Sequence, residues 1–352
     1  MVPRGRTAWW EGEILSVHNR RDDADVVLRR PKGEVVSGRH PMAPGPKSMA
    51  GSRATWKVAE TDGVSYMAGM IAGAAYHEAF PEDKVMREFF SLSVLWRYPV
   101  KSLRGQRCER LVIGSRGPVH DREWMLVDEG GRFLTQRQQS RMAQIDVALE
   151  DDDLVFHAPG RSPLRVARSG IGDRLSVQVW NDCLEAQGMD PAADAWLSDF
   201  LGQPCRLVHF PEDVRRPVDP RYAQADDQVG FADGFPLLLI SQAALDALNL
   251  RLDEPVEMRR FRPNLVVSGC APHAEDDWRR IRIGGLTFRV AKPCSRCPIP
   301  GLDPETGEKR GRVLETLMSY RRGEDNKLYF GQNLLHDGTG DLVVGMPVEV
   351  LE

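Results

Sequence analysis

Two cysteines separated by two residues lie in a segment whose composition restrains them: Lys292-Pro-Cys-Ser-Arg-Cys297-Pro-Ile-Pro-Gly-Leu-Asp-Pro-Glu-Thr-Gly307. An alternating stretch ends just before it, at Val290, so the cysteines fall on a strand-end loop, where scaffolds place reactive groups. Pro298 and Pro300 stiffen the backbone beside Cys297 and remove two amide donors. Lys292 and Arg296 are close in sequence, and their positive charge favours a thiolate over a thiol. A thiolate is a soft ligand, suited to a heavy or redox-active metal. Three other readings of the pair stay open on the residues alone. Half of a structural zinc site would need a second pair or a nearby His-x-x-x-His, and neither is present. A thioredoxin-like dithiol made of Cys294 and Cys297 would need a helix after the first cysteine, which Pro298 and Pro300 oppose. Two ordinary core cysteines need nothing further.

Three more segments carry groups of use at a site. In Trp96-Arg-Tyr-Pro-Val-Lys-Ser102, Lys101 and Ser102 could clamp a phosphate, one as a point charge and the other as a hydroxyl donor. A solvated loop cation is the plainer account of Lys101. In His120-Asp-Arg-Glu-Trp124, Arg122 stands at the mouth of a strand, or else Asp121, Arg122 and Glu123 form a surface ion pair of small value. In Arg259-Arg-Phe-Arg-Pro-Asn264, Arg262 and Asn264 precede a strand. This could be a basic turn, yet an asparagine there can also orient a polar ring through paired hydrogen bonds.

The elements that must position these groups read mostly as short strands. Phe90–Trp96 alternates apolar and polar residues, and Arg110–Ile113, Glu123–Val127 and Arg132–Thr135 follow with glycine turns between them. Ile145–Leu149 and Asp153–Phe156 form a hairpin around an acidic turn, and Leu175–Trp180 alternates again. Many short strands at close spacing predict a barrel or rolled sheet. A helix over Ala192–Leu201 stops at Gly202. Pro236–Ile240 is a continuous apolar run, suited to a strand buried on both faces. Ser241 then N-caps a helix over Gln242–Leu252. Leu265–Val267, Ile281–Ile283, Leu286–Val290 and Asp341–Leu351 are further strands. The polar stretch between Val208 and Gln228 is a domain boundary.

Composition narrows the function. With 47 Lys and Arg against 51 Asp and Glu, the formal charge of -4 supplies no basic field for nucleic acid. Residues 1–85 lack a sustained period, and read as a disordered extension or a start assigned too far upstream, with Met86 a natural beginning. No secretory signal opens the chain, and the nearest approach to a membrane span, Val64–Phe80, contains His77 and Glu78. The remaining cysteines, Cys108, Cys183, Cys205 and Cys270, are irregularly spaced, as in reduced cytoplasmic proteins.

Taken in order, Tyr98-Pro-Val-Lys-Ser102, Asp121-Arg-Glu-Trp124, Phe261-Arg-Pro-Asn-Leu-Val266 and Cys294-Ser-Arg-Cys297 resemble the MOSC family, named from the C-terminal domain of molybdenum cofactor sulfurase. Asp303-Pro-Glu-Thr-Gly307, Leu314–Arg321 and Phe330-Gly-Gln332 extend the resemblance, which runs from about residue 89 to the C-terminus. It looks closest to the branch of the mitochondrial amidoxime-reducing component and its bacterial relatives. The resemblance implies a mixed α/β, mostly β fold: an N-terminal β-barrel-like domain over 86–210 and a C-terminal MOSC β-barrel with short helices over 211–352. It implies Cys297 as the protein ligand to molybdenum and as the catalytic residue. It also implies Lys101, Ser102, Arg122, Arg262 and Asn264 as contacts to the pterin of the molybdenum cofactor. The loop Phe231-Ala-Asp-Gly-Phe-Pro236 matches a cofactor-contacting loop, with Asp233 at its acidic position and Gly234 and Phe235 where relatives carry small hydroxyl residues. Cys294 would support the site without binding metal.

The implied activity is two-electron reduction of a small N-hydroxylated or N-oxide substrate. Electrons would come from a separate ferredoxin, flavodoxin or cytochrome b5-like protein and its reductase, because the chain carries no Cys-x4-Cys-x2-Cys ferredoxin motif. A cofactor carrier or sulfur-transfer module is the alternative, although an aminotransferase-like sulfurase domain has no room here. His120 and Asp233 are the candidate proton donors.

Overall fold

A computed structural model describes residues 90–352. The expectations for residues 1–85 and for the apolar stretch from Val64 to Phe80 lie outside the described residues. In chain order, β1 is Phe90–Arg97, β2 Trp124–Val127, β3 Asp146–Glu150, β4 Asp153–His157, β5 Leu164–Ala167, β6 Arg174–Val179 and β7 Asp182–Gly188. Helix α1 is Pro191–Leu201, followed by β8 Arg206–His209, β9 Leu237–Ser241, α2 Gln242–Asn249, β10 Leu265–Ser268, β11 Arg280–Ile283, β12 Leu286–Ser295, α3 Val313–Tyr320, β13 Tyr329–Asp337 and β14 Pro347–Val350.

Seven strands close into a barrel in the order β10-β9-β13-β12-β11-β14-β1, with β1 pairing back onto β10. The mostly β fold with short helices is therefore as the sequence predicts. Closure leaves no open sheet edge. Strand β1 shows how the side chains are assigned to faces. Strict alternation would aim Leu92, Val94 and Trp96 the same way. Instead the register with β10 slips between Val266 and Val267, leaving Ser93 as an extra residue. This bulge turns both Leu92 and Leu95 into the barrel core, while Val94 and Trp96 pack on the outer cluster beneath the helices. Strand β9 is apolar up to its last residue, Ser241, because both faces are covered: Leu237 and Leu239 point into the barrel, and Leu238 and Ile240 pack with the outer cluster.

Much of the chain between β1 and β9 packs apart from the barrel. Strands β2, β8, β7 and β6 form one sheet and β3, β4 and β5 another, with α1 laid against them. Asp190 caps α1 by accepting from Ala192 N at 2.8 Å, Pro191 occupies the first turn, and Gly202 ends it at φ 70°.

Four elements differ from the sequence expectation. Arg132–Thr135 makes only isolated bridges, Val127 to Phe133 and Arg132 to Gln178. Helix α2 is correctly capped by Ser241 Oγ, which accepts from Ala244 N at 3.2 Å. It stops at Asn249 rather than Leu252, because the Asn249 amide bonds both the N and O of Val256 and folds the chain back. The stretch from Asp341 splits into Gly340–Val343 and β14, separated by a turn at Gly345. Strand β12 runs past Val290 to Ser295, so Cys294 lies on a strand. Its register slips twice against β13, the second time between Pro293 and Ser295, where a residue without an N–H is tolerated.

Candidate functional site

The barrel wall supplies the floor of a cleft. Leu238 on β9, Asn333 on β13 and Lys292 on β12 stand abreast on neighbouring strands. Four irregular segments rise around them: the turn after β1, the loop before β9, the residues before β10, and the chain after β12. They enclose an open cleft whose empty space, open solvent included, is about 820 Å³. Lys101, Ser102, Arg122, Asp233, Gly234, Arg262, Asn264 and Cys297 all line it, so eight residues spread over nearly two hundred positions meet at one place.

Backbone strain accompanies this convergence. Ser102, Arg122 and Arg262 adopt φ values of 66°, 50° and 58° without being glycine. Each costs about 1 kcal/mol or more, which is tolerated where surrounding structure fixes a side chain for use.

Charge within the cleft is unbalanced. Lys101, Arg122, Arg137, Arg262 and Arg296 line it, against Asp233 alone among the acids, with Asp121 pairing Arg122 from behind at 2.5 Å. Lys101 is 4% exposed and donates to Phe231 O at 2.7 Å and Asp233 Oδ1 at 2.5 Å. Burial lowers its ammonium to about 8 against the pull of Asp233. Partial desolvation alone would raise the Asp233 carboxyl. Lys101 first, then Arg137 and the Trp180 indole, hold it well below the ordinary range, so it stays ionised.

Arg122 and Arg262 both lie over the buried Tyr98 ring, 4.1 and 4.3 Å from its centroid, and burial pushes the Tyr98 phenol up. Arg262 donates Nη1 to Leu103 O at 2.7 Å, while its buried Nη2 has no partner. Burial, then Arg122, lowers its guanidinium to about 10.

Asn264 lines the cleft at 1% exposure, but most of its amide is engaged within the protein. Oδ1 accepts from Arg122 Nη1 at 3.1 Å and from Leu238 N at 3.2 Å, and Nδ2 donates to Trp96 O at 3.2 Å. One N–H remains for a ligand, and the residue acts chiefly as a brace for Arg122.

The two cysteines are placed differently. Arg296 aims Nη1 at Cys294 Sγ, 3.1 Å away, and Nη2 at Phe261 O, 2.7 Å away. Its charge thus reaches Cys294, not Cys297 as the sequence spacing suggested, and Lys292 lies over aromatic rings instead. Cys297 makes no hydrogen bond among the described residues and borders the cleft. Among the described residues no three His, Cys, Asp or Glu side chains converge on one metal position.

His120 does not line the cleft. Its Nδ1 lies 2.8 Å from Glu123 Oε2, and His209 Nε2 lies 3.0 Å from Glu123 Oε1. Burial would raise the Glu123 carboxyl, but these two contacts bring it down to about 2. The three side chains bind β2 to β8 and leave His120 no role in proton transfer at the site.

Arg137 and Trp180 are site residues that the sequence did not reveal. Arg137 bonds Asp233 Oδ2 at 3.2 Å and stacks on the Trp180 ring at 4.8 Å. Trp180 sits at a hairpin tip with φ 56°, and its Nε1 donates to Asp233 Oδ1 at 3.2 Å. A bulky residue at the end of an alternating strand, followed by Asn181, was the available signal, since a tight hairpin there demands a left-handed residue.

Comparison with known proteins follows the same lines. Residues 89–204 match the MOSC N-terminal beta barrel domain and residues 226–349 match the MOSC domain. Mitochondrial amidoxime-reducing component 1 of Mus musculus is 35% identical over 319 residues, covering 85% of this chain and 93% of that protein. Its Homo sapiens counterpart is 33% identical over 328 residues, covering 86% and 95%. Molybdenum cofactor sulfurase of Oryza sativa subsp. japonica is 32% identical over 279 residues, covering 72% of this chain and 34% of that protein. Both domains are present in order and the relatives align along most of the chain, so it belongs to the MOSC-domain family, which is linked to the molybdenum cofactor.

Proposed function

We propose that this chain binds the molybdenum cofactor in the cleft and uses it to reduce N-hydroxylated or N-oxide substrates, with electrons delivered by a separate ferredoxin, flavodoxin or cytochrome b5-like protein. The observation that carries the reading is the buried guanidinium of Arg262. Its Nη2 lacks a partner beside a second arginine, and among the described residues no carboxylate forms a salt bridge with it, although Asp121 and Asp233 pair the neighbouring cations. Such a charge is costly unless an anion arrives, and a phosphorylated pterin brings one. The unengaged Cys297 thiol on the same cleft is the right ligand type for molybdenum. The residues present therefore fit the group.

In this reading Lys101, Ser102, Arg122 and Arg262 hold the cofactor's phosphate and polar edges. Cys297 ligates the metal, and Asn264 keeps Arg122 in place. The bound group supplies two-electron oxygen-atom chemistry that no side chain can perform. Asp233 and Arg137 fix the opposite wall through Trp180. Asp233 is ionised and His120 is held by Glu123 away from the cleft, so neither is placed to donate a proton there.

The test is to express the full chain in cells that make the cofactor and to measure bound molybdenum and pterin. Stoichiometric metal is expected in wild type and in Cys294→Ala, and its loss in Cys297→Ala. Given a reduced electron donor, the loaded protein should convert an N-hydroxylated amidine to the amidine. Loaded protein without that activity would favour a carrier or sulfur-transfer role, the reading that the sulfurase relative motivates. A metal-free protein with a reversible Cys294–Cys297 disulfide would overturn both.

A further inference from the structure

Beside the cleft, an aromatic pair continues outward from its lining. Phe235 lines the cleft half-buried, and Tyr222, 38% exposed, meets it edge-on with ring centroids 6.0 Å apart. Lys292, paired with Asn333 across β12 and β13, lies 4.9 Å from the Tyr222 centroid and 5.9 Å from that of Phe235. Among the described residues no carboxylate comes within salt-bridge reach of Lys292. Asp219, the acid it influences, is taken by Arg221, whose Nη2 lies 2.5 Å away. Phe235 on the cleft lining thus joins the cleft to a neighbouring patch that pairs the Tyr222 ring with a cation lacking a salt-bridge partner among the described residues.

We propose that Phe235, Tyr222 and Lys292 form an entrance filter that admits flat, uncharged N-hydroxylated substrates and turns away the protonated base they become. The inference rests on the reductase reading. An N-hydroxyamidine is a much weaker base than its amidine, because the hydroxyl group withdraws electron density from nitrogen. The substrate is uncharged at neutral pH. Reduction breaks the N–O bond, consumes two electrons from the donor protein and two protons, and releases the oxygen as water. The amidine left behind takes a further proton from solvent and becomes a cation. An aromatic wall favours a flat substrate in either charge state. Lys292 repels only the cation, so the filter favours entry of substrate and departure of product.

The experiment measures binding to the purified holoenzyme without reductant, by calorimetry, using benzamidoxime, acetamidoxime and benzamidine. Phe235→Ser should weaken benzamidoxime about fivefold while leaving acetamidoxime nearly unchanged. Lys292→Gln should tighten benzamidine about fivefold and leave benzamidoxime unchanged. Lys292 is partly exposed and the substitution is mild, so this variant tests the filter even if Phe235→Ser misfolds. Equal loss of both amidoximes in Phe235→Ser, or unchanged benzamidine affinity in Lys292→Gln, would overturn the filter. A wild type that binds these ligands but reduces none would overturn the reductase reading, and the binding ratios would still decide the filter.

Discussion

Replacing Arg262 by Met distinguishes a residue that waits for a ligand from one that holds the fold together. Burial and Arg122 bring its guanidinium from an ordinary 12.5 to about 10. At about 1.4 kcal/mol per tenfold change in the proton equilibrium, this is a penalty of about 3 kcal/mol. The charge persists at every pH below about 10, so the penalty is fully present at pH 7 when no anion occupies the cleft. Methionine removes the charge, keeps an unbranched stem over the Tyr98 ring, and leaves the left-handed backbone no more strained than before. The variant loses the Nη1 hydrogen bond to Leu103 O, about 1–2 kcal/mol, and the cation–ring contact, about 0.5–1 kcal/mol. The balance runs from no change to about 1.5 kcal/mol more stable. A structural arginine in a satisfied buried pair would instead cost about 3–5 kcal/mol on removal.

Urea unfolding of the full chain, produced in cells that cannot make the cofactor, separates these outcomes. The same variant from cofactor-competent cells should carry little pterin. An Arg262→Met protein several kcal/mol less stable than wild type without cofactor, or one that retains full pterin content, would refute the reasoning.

Three further outcomes follow from other residues. Lys101 binds an anion only as the ammonium, and burial brings that form to about 8. The affinity of the cofactor-free protein for sulfate, an anion whose own charge is constant over this range, should therefore be flat below pH 8 and fall about tenfold per pH unit above it, a slope that Lys101→Met abolishes. Titration calorimetry from pH 6.5 to 9.5 reads this directly, and a flat profile would exclude the role. Glu275 is fully buried, burial raises its carboxyl, and Oε1 accepts from Ser241 N at 2.9 Å. A folded value above the unfolded one means its contribution is present in acid and lost as pH rises through the raised value. Glu275→Gln keeps an acceptor, so its urea midpoint should exceed that of wild type at pH 8, and the gain should shrink toward pH 4. Gly331 has φ 81°, and a Cβ there would lie 2.5 Å from Ile240 Cγ1 and 2.7 Å from Leu239 O. Gly331→Ala should cost about 2–4 kcal/mol in the same assay, and a loss below 1 kcal/mol would show that β13 can move off β9.

The parts of this structure that the sequence disclosed are those encoded by order and residue type. Cys297, Lys101, Arg122 and Arg262 were legible because reactive side chains sat beside prolines, strand ends and one another in a recognisable order. The barrel was legible because apolar alternation repeats in short runs. What stayed hidden depends on long-range geometry. Pro293 reads locally as the end of a strand, yet β12 continues through it, because a bulge against β13 makes its missing N–H harmless. Leu92 and Leu95 share a face only because β10 slips by one residue beside them. Arg296 is adjacent to Cys297 in sequence, but strand geometry sends its guanidinium to Cys294.

Asn264 marks the same limit from the other side. Its residue type suggested a hydrogen-bonding edge for a ring, whereas three partners from Arg122, β9 and β1 already claim most of its amide. The same contacts hold the two arginines in place. Arg122 is anchored by Asp121 behind it and Asn264 beside it, and Arg262 by Leu103 O, so neither can swing out to water. Of the two guanidinium groups over the Tyr98 phenol ring, Arg122 is already paired with Asp121, so under the proposed reading it is Arg262 whose burial an entering anion would offset.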